Sequence, residues 1–332
     1  GARCLSSPKP PGQPKGDSMA ILTVKNRYKE PFVGMWDGET YTVKDTLVRG
    51  ISGFNGQIGL TIAANLVSPT TINKTGSGVL QLGGVSYVQN TVNVNAGALV
   101  LGGGANYGLT QVNVGAGAIL DMRGNTMLQL GSIIGAGTIK NFNAAQAGAT
   151  LITGADNTDG TFSGTFVSDF QNGLLSVRKM GTGNWTLSGD SSGSMLGTLT
   201  VANGTLTLAA ATAKEGFQTY NFQKGATLLL DNTSNAVSFR LGSGTVATGA
   251  NTTLQPQGGE LVIRGNGSTA VREAVQTLTP GDGGGIITLN AAGTPGVTLA
   301  LAAISAQSAT SSLLIRADSL SFGTVTGGSA AV

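Results

Sequence analysis

The stretch KTGSGVLQLGG, Lys74 to Gly84, returns in altered form as KMGTGNWTLSGD, Lys179 to Asp190. Each copy reads Lys-x-Gly-(Ser/Thr)-Gly, and apolar residues that alternate with polar ones follow. Alternation of this kind is typical of a β-strand with one buried face. The glycines suit positions where the backbone turns tightly or adopts a positive φ. The phrase therefore predicts a repeated unit of strand, corner and strand.

Shorter repeats surround the two copies and fix the period. VNVNAGALVLGGG, VNVGAGAILDMRG, LTVANGTLTLAAA and FQKGATLLLDN each contain a glycine followed by apolar positions two apart. Gly97 aligns with Gly117, and Gly204 aligns with Gly225, which gives a period of about 20 residues. A rung of that length cannot close a core by itself, but stacking rungs about 4.8 Å apart pairs every backbone group. The period predicts a parallel β-helix, or β-solenoid, of about a dozen rungs. A β-sandwich pair or a propeller is the competing architecture, although propeller blades are about 40 residues or longer.

Composition agrees with an all-β chain and narrows the chemistry. Only 11% of the 332 residues are charged and 5% are aromatic, whereas 53 are glycine. The net charge is +3, and the basic residues are scattered, so the electrostatic pattern of a nucleic-acid-binding protein is absent from the sequence. The chain has no histidine and one cysteine, Cys4, so neither an internal disulfide nor a zinc site is expected. No cofactor, metal ligand or catalytic residue is assigned, and no apolar run is long enough to span a bilayer.

The chain divides into three segments. Residues 1–18 are proline-rich and are predicted to be a disordered tail or upstream sequence. Residues 19–47 are richer in charge and aromatic side chains, and MWDGETYTV predicts a β-hairpin with Asp37-Gly38 as a type I′ turn. We interpret residues 19–47 as a small N-terminal β cap, with a partner-docking segment as the alternative. Residues 48–332 form the predicted repeat domain, which we expect to be truncated at its C-terminus.

The paired phrases resemble the autotransporter-associated β-strand repeat, also called the passenger-associated transport repeat. That family reads loosely Lys-x-Gly-x-Gly-x-Leu-x-Leu-x-Gly, a short loop, then Thr-Val-x-x-Gly-x-Leu-x-Leu. The resemblance covers about Val48 to Gly323, and Trp185 stands where leucine is usual. The matching residues are Lys74, Gly76, Gly78, Leu80, Leu82, Val94, Gly97, Leu99 and Leu101 in the first copy, and Lys179, Gly181, Gly183, Leu187, Gly189, Val201, Gly204, Leu206 and Leu208 in the second.

The resemblance implies a right-handed parallel β-helix that is exported to the bacterial cell surface or secreted. It also implies a non-enzymatic adhesive or scaffolding role, with host or environmental glycans or proteins as partners. The family's export signal and C-terminal translocating barrel are not found in this sequence, which a fragment of a longer protein would explain. Self-association through the open rung ends or laterally is a further expectation.

Few residues suggest chemistry. Asp156 and Asp159 in GADNTDG are the best acidic pair, but their spacing in a turn-rich stretch favours capping of turns over catalysis or calcium binding. Lys74 and Lys179 recur at equivalent places and are predicted to be solvated charges at the rung edge, with a ligand-binding row as the alternative. PGDGGGIITL, Pro280 to Leu289, lacks the Gly-Lys-Ser/Thr of a phosphate loop and is predicted to be a turn between strands.

Two other functions remain open from the sequence. A carbohydrate-active β-helix enzyme would require acidic side chains gathered in a groove on one solenoid face. A phage-type tail spike or virion fibre would require a stable trimer. The structural or adhesive segment is the favoured function, because the residues that an enzyme would need are scarce.

Overall fold

The computed structural model describes residues 22–25, 31–36, 40–44, 60–62, 67–68, 71–82, 87–88, 91–101, 111–122, 127–141, 148–168, 173–194, 196–241, 252–293, 295–305 and 310–317, with side chains from Thr71 onward apart from residues 87–88. Within these residues the regular secondary structure is all β-strand, with no helix. The first strands are β1 Leu22–Lys25, β2 Pro31–Trp36, β3 Thr40–Lys44, β4 Leu60–Ile62, β5 Val67–Ser68, β6 Thr71–Thr75, β7 Val79–Leu82, β8 Tyr87–Val88, β9 Thr91–Val94, β10 Ala98–Leu101, β11 Gln111–Val114, β12 Ile119–Asp121, β13 Met127–Gln129, β14 Ile133–Gly135, β15 Thr138–Lys140 and β16 Ala149–Thr153. The later strands are β17 Gly160–Phe162, β18 Thr165–Val167, β19 Leu175–Lys179, β20 Asn184–Leu187, β21 Leu196–Val201, β22 Gly204–Leu208, β23 Phe217–Gln223, β24 Ala226–Asp231, β25 Thr253–Gln257, β26 Glu260–Arg264, β27 Val271–Leu278, β28 Gly285–Asn290, β29 Val297–Ile304 and β30 Leu313–Ala317.

The chain forms two compact units. Unit 1 is Gly1–Asn157 with Ser163–Leu175, and unit 2 is Thr158–Phe162 with Ser176–Val332. In unit 1, sheet 1A has the order β1-β2-β3-β6-β9-β11-β14 and sheet 1B the order β18-β15-β12-β10-β7-β4. In unit 2, sheet 2A has the order β17-β20-β22-β24-β26-β28-β30 and sheet 2B the order β19-β21-β23-β25-β27-β29.

Parallel pairing between successive coils confirms the predicted β-solenoid. The pairs β6–β9, β9–β11 and β7–β10 in unit 1 are parallel, as are β22–β24 and β21–β23 in unit 2. The solenoid has about eight turns, somewhat fewer than the dozen predicted. The difference arises because the length of a coil varies, so the constant short period read from the sequence overestimates the number of coils. A short coil separates Val92 from its register partner Val112, whereas a longer coil separates Leu228 from its register partner Leu261.

The predicted N-terminal hairpin is present, in a different register. β1 pairs antiparallel with β2, and β2 with β3, while β3 pairs in parallel with β6 and so joins the stack. Trp36 is the register partner of Tyr41, which leaves four residues in the connection instead of the two of a type I′ turn. Asp37-Gly38 itself, the tail 1–18 and Cys4 lie outside the described residues.

The apolar face of each strand points into the core. Leu80, Leu99, Leu187 and Leu206 are 2%, 1%, 1% and 0% exposed, as the alternation predicts. In sheet 2A, Trp185, Leu206 and Leu228 are register partners, so each contributes one layer to a continuous apolar column. Burying a leucine side chain contributes about 1.5–3 kcal/mol.

Glycine is required at two equivalent corners. Gly97 and Gly204 both have φ of +64°. A Cβ on Gly97 would lie 2.4 Å from the carbonyl oxygen of Gly78, and one on Gly204 would lie 2.6 Å from that of Gly181. The corner of one coil therefore sits directly against the corner of the coil before it, with no room for a side chain.

Candidate functional site

The two recurrent lysines are buried, so the prediction that they are solvated edge charges is wrong. Lys74 is 0% exposed and Lys179 is 1% exposed. Their register partners in the next coil are Val94 and Val201, so each lysine occupies a core-facing position of the alternating pattern. The strand alternation thus directs the side chain inward, and the ammonium group must form its hydrogen bonds inside the core.

Backbone carbonyls at the corner supply those partners. The Nζ of Lys74 donates to the carbonyl oxygens of Thr75 at 3.0 Å, Gly76 at 2.8 Å and Ala96 at 3.1 Å. The Nζ of Lys179 donates in the same way to Met180 at 2.8 Å, Gly181 at 2.9 Å and Asn203 at 3.1 Å. In each cradle the third acceptor belongs to the following coil. The motif is therefore a structural clamp between two coils and does not form a ligand-binding row.

In the acidic pair of GADNTDG, the structure gives Asp159 a capping role. Asp159 is exposed, and its Oδ1 accepts a hydrogen bond from the backbone N–H of Asn184 at 2.7 Å. The carboxylate does cap a backbone group, as expected, but in the following coil and not within its own turn. The glycine-rich PGDGGG stretch is the predicted turn between β27 and β28, with the Gly284 N–H donating to the carbonyl of Gly281 at 3.2 Å.

A cluster of ionisable side chains lies inside unit 2, where sequence reasoning placed none. Glu215, Arg240 and Glu273 are 1%, 0% and 0% exposed. Arg240 comes from the connection between β24 and β25, and the backbone N–H groups of Arg240 and Leu241 donate to the two carboxylate oxygens of Glu273 at 3.0 and 3.3 Å. The Arg240 guanidinium donates to oxygen atoms of Asn232, Ala210, Ala213, Asp231 and Asn235.

Burial perturbs the acids of this cluster. Loss of solvation raises the pKa of Glu215 to about 8; the Ser191 hydroxyl opposes the shift, and Asp190 adds to it. Loss of solvation also raises the pKa of Glu273 to about 7, although the two backbone amides and the Arg240 charge act in the other direction. Neither carboxylate can reach a polysaccharide outside the solenoid, because both side chains are enclosed.

The most regular polar feature is a set of columns on the outer face of sheet 2B, half-buried apart from the buried Asn221, which we call the polar ladder face. Its first column is a hydroxyl column, half-buried and in register from coil to coil. Its second column carries hydroxyl, amide and one guanidinium group. The columns are Ser176, Thr198, Thr219, Thr253 and Thr277, and Arg178, Thr200, Asn221 and Gln255.

Hydrogen bonds along this face leave some capacity unused. The Ser176 Oγ accepts the backbone N–H of Thr198 at 3.1 Å, and Arg178 Nη2 donates to Gln223 Oε1 at 3.1 Å. Asn221 is 8% exposed, and its Oδ1 has no hydrogen-bond partner among the described residues. Coils about 4.8 Å apart and alternate residues about 6.6 Å apart make the face a regular array of donors and acceptors.

Unit 1 carries a similar row. Asn73, Asn93 and Asn113 are register partners on the outer side of sheet 1A, and Asn93 Nδ2 donates to Asn73 Oδ1 at 2.7 Å. Both rows have a signal in the sequence. At the start of each coil, a threonine or glutamine stands two positions before another polar residue. It occurs as TINK, TVNV and QVNV in unit 1, and as TLTV, TYNF and TLQP in unit 2.

No family model, no curated protein and no solved structure matches this chain. Among the described residues, no helix is long and apolar enough to cross a membrane. The same part of the chain holds no group of three or more Cys, Asp or Glu side chains placed to bind a metal ion.

Proposed function

We propose that this chain is a non-enzymatic structural and adhesive β-solenoid segment of a bacterial surface or secreted protein. The observation that carries the proposal is the polar ladder face, an array of hydroxyl and amide groups in register over successive coils. A ligand with repeating hydroxyl groups, such as a glycan chain, gains one set of hydrogen bonds per coil on such a face. Arg178 is the one charged residue of the two columns, which favours a neutral glycan.

The clamp and the core support the structural part of the proposal. Within each unit successive coils pair in parallel, and the buried Lys74 and Lys179 join coils through their carbonyl cradles. A stack of this kind resists bending because every coil is bonded along its length. The resemblance to autotransporter-associated repeats supports export and display at the cell surface, which antibody labelling of intact producing cells tests.

The position of the acids argues against the carbohydrate-active enzyme. Glycosidic bond cleavage requires two carboxyl groups that face the substrate. Glu215 and Glu273 are enclosed, and Asp159 is engaged with a backbone amide. We therefore expect binding without cleavage.

A glycan array combined with a reducing-end assay tests the proposal. The array should carry neutral and acidic linear oligosaccharides. We expect binding to neutral chains with no release of reducing ends. Release of reducing ends would establish an enzyme, and the absence of binding to any glycan would remove the adhesive part of the proposal.

A matched pair of triple variants localises the binding. Thr198→Val, Thr219→Val and Thr253→Val remove three hydroxyls from the ladder, whereas Thr186→Val, Thr205→Val and Thr227→Val remove three outward hydroxyls from sheet 2A. Three lost hydrogen bonds at about 0.5–1.5 kcal/mol each should weaken glycan binding at least about tenfold in the first variant. Equal loss in both variants would show that the ladder face is not the binding surface.

A further inference from the structure

The buried acids of unit 2 belong to a column that crosses several coils. The column is formed by one side chain from each of four successive coils of unit 2: Ser191, Glu215, Arg240 and Glu273. Backbone–backbone hydrogen bonds connect the segments that carry them. The Ser191 N–H donates to the carbonyl of Lys214 at 2.7 Å, and the Glu215 N–H donates to that of Arg240 at 2.8 Å. The Arg240 N–H then donates to the Glu273 carboxylate at 3.0 Å. Side chains and backbone together therefore hold the connections 209–216 and 232–241 against each other.

The column contains one polar atom that lacks a partner. Oε2 of Glu215 is buried and has no hydrogen-bond partner among the described residues. A neutral carboxyl group at this position costs far less than a buried carboxylate with an unpaired oxygen. The geometry thus favours the protonated acid while the connections are closed.

The charges around Glu215 do not offset this preference. Asp190, the residue before Ser191, lies in the coil that precedes that of Glu215 and is exposed. Lys214 is the residue directly before Glu215 in the sequence. Tyr220 on β23 donates its hydroxyl to the backbone carbonyl of Glu215 at 3.2 Å, not to its carboxylate. Arg240 directs its guanidinium to other oxygens, and Glu273 is a second acid in the same column.

The connections that the column holds are themselves strained. Ala210, whose carbonyl accepts from Arg240, has φ of +82°, and Phe239, which precedes Arg240, has φ of +62°. Non-glycine residues rarely adopt these values, and each costs about 1–3 kcal/mol. Such conformations persist only while surrounding contacts hold them, so the connections are poised to relax when the column loosens.

We propose that the column Ser191–Glu215–Arg240–Glu273 is a proton-dependent latch that closes the connections 209–216 and 232–241 and becomes easier to open as pH rises. In the closed state Glu215 keeps its proton, and in the open state water solvates the carboxyl group and it ionises. Closing the latch therefore takes up a proton. This inference is independent of the adhesive function proposed for the outer face.

The pH window follows from the two acids. The pKa of Glu215 is raised from 4.5 to about 8, and that of Glu273 from 4.5 to about 7. A raised pKa in the closed state means that its stability is complete below pH 4.5 and is lost as pH rises towards these values. Above about pH 8 both states are ionised and no further change is expected.

Hydrogen–deuterium exchange with mass spectrometry measures the opening directly. Protection of peptides from 209–216 and 232–241, corrected for the intrinsic exchange rate, should fall by about tenfold or more between pH 5.5 and pH 8 in the unmodified chain. Glu215→Gln replaces the protonated acid with a neutral group of the same shape, so the change in protection between about pH 7 and pH 8 should disappear, whereas the part due to Glu273 below pH 7 should remain. The control Glu260→Gln removes a half-buried carboxylate on β26 that pairs with Arg316, and it should retain the pH dependence.

Infrared spectroscopy provides a second test, whose first measurement uses the unmodified chain. A protonated carboxyl band should be present at about pH 7.5 and absent above pH 9, and Glu215→Gln should lose most of it at about pH 7.5, where Glu273, with a pKa of about 7, is largely ionised. Absence of that band in the unmodified chain at about pH 7.5, or an unchanged loss of protection between about pH 7 and pH 8 in Glu215→Gln, would overturn the latch.

Discussion

At the scale of single residues, the buried lysines show how a backbone corner can hold a charge. A buried ammonium group is costly unless each of its protons is satisfied. Here three carbonyls converge on each Nζ, and the tight glycine corner is what brings two of them within reach. The lysine and glycine of the repeated phrase therefore form one structural device.

Replacing the clamp lysine should destabilise the fold. Lys179→Met keeps the aliphatic length but removes the charge and leaves three carbonyls without their donor. We expect a loss of about 2–4 kcal/mol in the free energy of unfolding, measured by urea denaturation. Lys224→Met, at an exposed turn position, should change it by about 0.5 kcal/mol or less. Equal effects of the two substitutions would contradict the clamp.

The corner glycines allow a second comparison. Gly204→Ala and Gly225→Ala both place a side chain at positive φ, +64° and +79°, but only Gly204 has backbone oxygens within 3 Å of the new Cβ. We expect a cost of about 1–2 kcal/mol for Gly225→Ala from the left-handed conformation alone. Gly204→Ala should cost roughly a further 1–3 kcal/mol from the clash. Thermal unfolding of the two variants measures the difference, and a smaller effect at Gly204 would show that the corners can separate.

At the scale of strands, alternation assigns each residue to the core or to the outer face. In β24 the exposure pattern alternates strictly, with Leu228 fully buried and Leu229 half-buried on the outside. In this strand the fully buried leucines face the core, and the outward positions remain partly exposed. The same alternation on sheet 2B produces the polar ladder face, because Thr198 and Thr219 take the outward positions of consecutive coils.

The neighbouring leucines of β24 test that assignment. Leu228→Ala should cost about 2–5 kcal/mol in unfolding free energy, because it leaves a cavity in the apolar column. Leu229→Ala should cost about 1 kcal/mol or less, since the side chain contacts solvent. Urea denaturation monitored by Trp185 fluorescence compares them directly. A reversed order would mean that the strand is out of register.

At the scale of the whole molecule, the coils differ in length, and much of the difference lies in their connections. In unit 2 a short coil runs from Leu206 to its register partner Leu228, and the next, longer coil runs from Leu228 to Leu261. The strands stay in register, so the added residues extend the connections, and the connection that carries Arg240 of the latch lies in the longer coil. Three members of the latch therefore lie in connections, whereas Glu273, the clamp lysines and the polar ladder face lie on strands.

The N-terminal strands should limit self-association. β3 covers the edge of β6 along Thr40–Lys44, and an uncovered parallel edge is a template for another chain. Deletion of residues 19–47 should increase the molar mass measured by light scattering, and more so at higher concentration. Deletion of residues 1–18 is the control and should leave the mass unchanged. A 19–47 deletion that stays monomeric would refute the cap, and a stable trimer of the intact chain would favour the spike alternative.

Periodicity in the sequence was sufficient to predict parallel stacking, the buried leucines and the corners at Gly97 and Gly204, because each of these depends on spacing along one or two neighbouring coils. Only the tertiary structure decided where the charges go. The lysines appeared to be edge residues because a sequence does not show that a corner's carbonyls converge on one point. For a related reason, the sequence did not predict the column of Ser191, Glu215, Arg240 and Glu273. Its members are far apart in the sequence, and three of them lie in connections that do not repeat. Burial, which raises the pKa of the two acids, arises only when the coils are stacked.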